Sequence, residues 1–215
     1  MSVFENEKDL VLFLEEKIKR EGYYEETYSD INLASRRFYP YWRKWFGKCP
    51  SDYLFPLAQP QIDLIVVDKD HHLLGAEIKY LRLKKSRAEL PFYAGIEEAL
   101  ALLRFGFLCV SLWHCFDFKG DNKNVGDIRK YREATHKLVS TLNLPINYSA
   151  LWITKSKRGK EAIYLPPSQS IYDTIQSQPK LPPLHGKENP LRSMPEVKKI
   201  REFLRMSLKI PSTTL

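Results

Sequence analysis

The chain has no apolar run that approaches the length of a membrane span. Its opening, MSVFENEKDL, has neither the basic head nor the apolar centre of a secretory signal. Cysteine is scarce. Cys49, Cys109 and Cys115 show no CxxC spacing, which excludes a paired-cysteine metal site, and Cys109 and Cys115 fall in an apolar run expected to bury them as free thiols. A glycine-rich phosphate loop, a Walker lysine motif, a nucleophile elbow and an internal repeat are all missing. Together these absences predict an intracellular, cytoplasmic protein with no membrane partner, and they remove the nucleoside-triphosphatase and serine-hydrolase readings.

What the sequence does hold is a globular composition. Hydrophobic residues make up 43% and aromatics 13% of 215 residues, enough for one domain with a proper core. The net charge is +8 and the pI is near 9.3, which favours a polyanionic partner. The charge is unevenly spread. Residues 1–30 carry four basic and nine acidic side chains, residues 61–77 are net −3, and residues 119–160 carry ten basic and three acidic ones. An acidic pocket in a basic surround suits metal-dependent cleavage of a phosphodiester, with the basic surface on the backbone and the acids on the metal. Ordinary solvated charged faces would give the same counts.

The central stretch is PQIDLIVVDKDHHLLGAEIKY, residues 60–80. Its apolar runs Ile62–Val67 and Leu73–Ile78, separated by the polar segment Asp68–His72, read as two antiparallel strands. Side chains alternate along a strand, so Glu77 and Lys79 share a face while Ile78 points away. A hairpin about Lys69–His72 brings Asp63 opposite the Glu77–Lys79 end. Two carboxylates and an ammonium then converge at one sheet edge, a donor set suited to a hard divalent cation such as Mg²⁺. A strand-edge Asp followed by an ExK at a strand end is also a common charge pattern with no chemical task.

Asp63, the hairpin and Glu77-Ile78-Lys79 resemble the PD-(D/E)xK nuclease superfamily, of restriction-endonuclease-like fold, over about twenty residues. The proline departs from the pattern, standing as Pro60-Gln61-Ile62-Asp63. The resemblance implies that Asp63, Glu77 and the Ile78 carbonyl hold Mg²⁺ or Mn²⁺ and that Lys79 positions the attacking water. It also implies a glutamate from an opening helix, Glu7 with Glu5 as the substitute, although an acidic first turn complements a helix dipole without any such role. Tyr93 and Glu98 stand where one subgroup carries tyrosine and glutamine and are possible site-lining residues.

Element order agrees with that family's αβββαβ core, an α/β (α+β) fold with a mixed sheet of four to five strands flanked by helices. Leu10, Val11, Leu14 and Ile18 stripe a helix over Glu5–Glu21, closed by Gly22. Tyr23–Ile31 forms a first strand, weakened by Glu25 and Glu26. Residues 29–60 form an aromatic and basic insert in which 36–48 interleaves five bases with six aromatics. Its Arg36, Arg37, Arg43 and Lys44 suit phosphates while its rings suit either bases or a core. Arg82, Lys84, Lys85 and Arg87 follow the motif as a basic loop for the scissile strand. Helix Leu90–Phe105, buried strand Phe107–Phe116 with His114 as a satisfied core residue, helix Asp127–Leu142 and strand Tyr148–Thr154 come next. A basic turn, KSKRGK, leads to an edge strand at Glu161–Leu165.

Residues 1–165 are thus expected to form the catalytic domain and 166–192 a proline-rich surface segment. Residues 193–210 form a helix with a Ser193/Glu196 capping box, whose stripe packs on its own domain or a second subunit. The expected activity is metal-dependent hydrolysis of phosphodiesters in nucleic acid, as a DNA endonuclease, with a homodimer as the means of cutting two strands. The alternative is a non-catalytic nucleic-acid-binding protein on the same scaffold.

Overall fold

The computed structural model describes residues 2–47, 61–83, 93–118, 125–157, 159–166 and 181–211. Helix α1, Glu7–Glu21, starts at Asn6, whose Oδ1 accepts from Asp9 N at 2.9 Å, and ends at Gly22 in the left-handed region at φ 67°. Its buried stripe is the expected Leu10, Val11, Leu14 and Ile18. Strand β1, Glu26–Asn32, forms despite its glutamate because Thr27 and Ile31 are buried while Glu26 and Asn32 stay exposed, as one face of an edge strand allows. A 3₁₀ turn, Arg36–Phe38, runs into helix α2, Tyr39–Phe46. The central hairpin follows as β2, Gln61–Val67, and β3, Leu73–Leu83.

The expected helix Leu90–Phe105 is shorter over its described part. Gly95 is its cap at φ 79°, α3 spans Ile96–Leu102, and a 3₁₀ turn carries the chain to Phe105. Strand β4 is Val110–Phe118, helix α4 Val125–Thr141, and β5 and β6 are Asn147–Ser156 and Gly159–Leu165. The last helix, α5, is Pro195–Leu208.

Strands β1 to β6 form one six-stranded mixed sheet in chain order, not the four or five strands expected. Strands β5 and β6, added in turn beside β4, account for the difference. Strands β3, β4 and β5 run parallel, as intervening helices require. On one sheet face α1 packs over Leu64, Val66, Ala76, Ile78, Trp113 and Leu151. The other face buries Ile65, Val67, Leu112, Ala99, Leu102 and Phe203, so the site described below is held between two packed layers.

The described aromatics of the insert pack inward, with Tyr41, Trp45 and Phe46 partly buried against the core. Phe38 and Trp42 are buried, Trp42 Nε1 donates to Leu33 O at 2.8 Å, and the Trp42 and Phe203 rings stand 4.5 Å apart. Those two rings are therefore core material and cannot stack on bases, because α5 needs an apolar partner and α2 supplies it. The α5 stripe is accordingly covered by its own fold. The capping box does not form. Met194 is the cap, without a side-chain hydrogen bond, and Pro195 occupies the first turn, where its fixed φ suits a helix start.

The described part of the proline-rich segment is tied into the fold. Leu184 and Asn189 are buried, Asn189 Nδ2 donates to Leu103 O at 2.7 Å and Phe107 O at 3.1 Å, and Glu188 bridges Cys109. Among the described residues no helix is long and apolar enough to cross a membrane.

Candidate metal and phosphodiester site

The site arises where β2 and β3 part. Their antiparallel pairing stops at Leu64–Ala76, one step before Asp63 would face Glu77. On its other side β2 pairs through Leu64 with Ser29 and through Ile62 with Ile31, so Asp63 is passed over there too. Asp30, the residue between those partners, sits at φ 50°. Beyond the fork, β3 N–H groups that a continuing ladder would have bonded turn to carboxylates. Ile78 N donates to Asp63 Oδ2 at 2.8 Å and Tyr80 N to Glu7 Oε2 at 2.9 Å. In a strand a residue's N–H and C=O leave the same edge, so the Ile78 carbonyl faces this fork as well. Glu5 is exposed, and its carbonyl accepts from Arg82 Nη2.

Glu77 is 1% exposed. Its Oε1 lies 2.5 Å from Lys79 Nζ, which also reaches Glu98 Oε1 at 3.0 Å. Glu77 Oε2 has no hydrogen-bond partner among the described residues. Two carboxylates, Glu77 and Glu98, thus contact one ammonium, and those of Asp63 and Glu7 at the fork act on it electrostatically. Like charges about 4 Å apart repel by about 4 kcal/mol at an effective dielectric constant of about 20, so a deficit of cation has a large effect here. Burial first, then the Glu7 and Glu98 carboxylates, push Asp63 up to about 6 against the Ile78 hydrogen bond and Lys79. Burial and the Asp63 carboxylate push Glu77 up to about 8. Burial opposes the charge on Lys79, but Glu77 and Glu98 outweigh it and hold the ammonium above its ordinary value. The donor set, a buried carboxylate with an orphaned oxygen, a half-buried carboxylate and a carbonyl, fits a hard divalent cation.

Glu98 reaches the cluster, whereas Tyr93, at the turn before α3, is 56% exposed. Arg36, Arg37, Arg43, Lys44 and Arg82 are exposed. Lys84, Lys85 and Arg87 lie outside the described residues. His114 is buried beside Lys79 in the β3–β4 register and bonds the Ala94 carbonyl through Nε2 at 2.8 Å. Burial, with the Lys79 charge, lowers it to about 4, so it is a neutral core histidine that ties the turn before α3 to β4.

Three supporting residues carry no motif signal. A Cβ on Gly95 would lie 2.8 Å from Lys79 Cγ and from Leu112 Cδ1, so only glycine lets that turn rest on the Lys79 stem. Tyr80 accepts from Phe4 N at 3.0 Å and donates to Asp117, which also accepts from Val3 N at 2.8 Å. Asp117 and Tyr80 thereby fix the approach to α1, and with it Glu7. The sequence offered one usable hint, an aspartate at the end of a continuous apolar run.

A second group of donors lies at the far end of the hairpin. Single ligand atoms of Asp68, Asp70 and His72 come within 4.8 Å of one another, an arrangement compatible with a metal ion. Asp68 also shapes the turn, its Oδ1 accepting from Asp70 N at 2.9 Å and His72 N at 2.8 Å.

No family model and no curated protein matches the chain. Among solved structures, that of Pyrococcus furiosus SfsA in complex with Ca²⁺ is similar over 48% of this chain, at 16% identity and a TM-score of 0.30. The match spans 47% of that chain, about half its length.

Proposed function

We propose that the protein is a metal-dependent nuclease of restriction-endonuclease-like fold that hydrolyses phosphodiester bonds in nucleic acid, DNA in the first instance. The observation that carries this reading is the fork. Asp63 and Glu7 take up β3 N–H groups where β2 has parted from it, directly beside Glu77 and Lys79. A sheet that only needed to be stable would continue its ladder there and would not set four acids within electrostatic reach of one lysine. Asp63, Glu77 and the Ile78 carbonyl would hold Mg²⁺ or Mn²⁺. Such an ion, when bound, supplies Lewis-acid polarisation of a phosphoryl oxygen and acidifies a bound water.

The chain's own groups do the rest. Lys79 orients the attacking water and offsets charge that develops on the phosphate, which is worth most where that charge is greatest, in the transition state. Glu98 steers the ammonium from α3, and Glu7 adds a third acid at the fork. Residues 1–165 would carry the nuclease machinery, with α5 completing the same core, and two copies would be needed to cut both strands of a duplex. The exposed Arg36, Arg37, Arg43, Lys44 and Arg82, with Lys84, Lys85 and Arg87, are candidates for phosphate contacts.

Cleavage of plasmid and short labelled DNA in Mg²⁺, Mn²⁺ or EDTA tests the reading, with Lys79→Ala beside the wild type. Metal-dependent products are expected from the wild type, reduced by about 10²- to 10³-fold in the variant, whose circular dichroism stays native. Equal cutting by both proteins would remove Lys79 from the chemistry. Binding without cleavage by either would favour a non-catalytic nucleic-acid-binding protein.

A further inference from the structure

The basic turn between β5 and β6 has no part in the carboxylate site. Lys155 lies directly opposite Lys160 in the ladder, both are exposed, and Lys157 is exposed at the hairpin tip. Like charges facing each other across an antiparallel pair are unfavourable. The acid on this hairpin does not relieve them, for Glu161 accepts from Ser156 Oγ. None of the three lysines has a carboxylate partner among the described residues. A single edge lysine guards an outer strand against pairing with another sheet, but that role does not need two that face each other.

These cations adjoin the acids. Lys160 Nζ lies 4.3 Å from the centroid of the Phe4 ring. Arg82 comes from the other side, its guanidinium 4.9 Å from the Tyr80 ring centroid and its Nη2 bonded to the carbonyls of Phe4 and Glu5. The Phe4 and Tyr80 rings are 6.1 Å apart, and Tyr80 N is the donor to Glu7. Positive charge therefore begins where the carboxylate fork ends and runs outward along the hairpin.

We propose that Arg82, Lys160, Lys155 and Lys157 form a track for the phosphate backbone of a nucleic acid, leading away from the Tyr80 side of the fork. The proposal rests on the nuclease reading only for the polymer that occupies it. Ammonium groups meet phosphates without reading bases, so the track adds affinity and salt dependence without sequence preference.

The test is binding of fluorescein-labelled duplex and single-stranded DNA in EDTA over a series of salt concentrations. Wild type is compared with Lys155→Ala/Lys160→Ala and with Lys130→Ala/Lys137→Ala, an equal loss of charge from exposed α4 positions. The hairpin variant should bind on the order of tenfold more weakly on every sequence, with the slope of log K against log salt reduced by about 2 on duplex, while the α4 variant stays near wild type. Lys155→Glu should raise the melting temperature, because it converts the facing pair to an ion pair, and yet weaken DNA binding. Unchanged binding by the hairpin variant, or equal loss in both double variants, would overturn the track. Weakened binding beside a wild type that never cleaves would leave the track standing and remove the nuclease reading.

Discussion

At the scale of single residues the site is governed by charge out of balance in a dry place. Asp63 and Glu77 are pushed above ordinary carboxylate values by burial and by other carboxylates, to about 6 and about 8. A carboxyl group that holds its proton more tightly when folded stabilises the fold fully below its ordinary pKa and loses that contribution as pH rises through the folded value. The metal-free protein should therefore melt at progressively lower temperature as pH climbs from about 4.5 to about 8. Glu77→Gln should flatten that decline and melt higher than wild type at the alkaline end, as read by calorimetry in EDTA. Gly95 is constrained differently. Gly95→Ala meets both a left-handed backbone and the Lys79 stem, so it should lower stability by about 1–3 kcal/mol and depress cleavage by displacing Lys79. Loss of stability with full activity would separate the turn from the site.

At the scale of elements, the junction of α2 and α5 packs into the core on one face of the sheet, and α5 reaches the hairpin turn where Arg205 donates to the His71 carbonyl. Phe203 is fully buried against Trp42 and Phe46, so Phe203→Ala removes aromatic packing on both sides. A cost of about 3–5 kcal/mol is expected in denaturant unfolding, and a value near zero would show that α5 is not part of the cooperative core. This junction explains why an aromatic and basic segment could be read two ways. Its Arg36, Arg37, Arg43 and Lys44 are on the surface, as their charge requires, whereas Trp42 found a partner more than 150 residues away in sequence. The unused capping box has a similar cause. Pro195 begins the helix one residue later than Ser193 would have allowed.

At the scale of the whole molecule, the two signs of charge lie side by side. Acids from α1, β2, β3 and α3 meet in the fork, and cations from β3 and the β5–β6 hairpin border it. An ion that binds only the folded chain stabilises it in proportion to its occupancy, by about 2.7 kcal/mol at a hundredfold excess over Kd. Mn²⁺ should thus raise the melting temperature of the wild type, and more at pH 8 than at pH 6 because ionised ligands are required. Asp63→Asn should abolish the rise. A rise that survives in Asp63→Asn and disappears in Asp68→Asn would move the metal to the hairpin's far end.

The pattern of the chain by itself determined the strands and helices that periodicity can encode. The alternation around Glu77 and Lys79, the stripe of α1 and the continuous apolar run of β4 are local consequences of side-chain spacing. It also marked Asp63, Glu77 and Lys79 as convergent, because a hairpin makes that pairing a short-range matter. Only the tertiary structure decided that the ladder breaks at Asp63, that Glu7 rather than Glu5 turns its carboxylate to β3, and that Glu98 shares Lys79 with Glu77. Those facts depend on where α1 and α3 cross the sheet, which packing over long sequence separations sets. The facing lysines of β5 and β6 belong to the same class, because a basic turn acquires its meaning from the aromatic ring and the acids that the fold brings beside it.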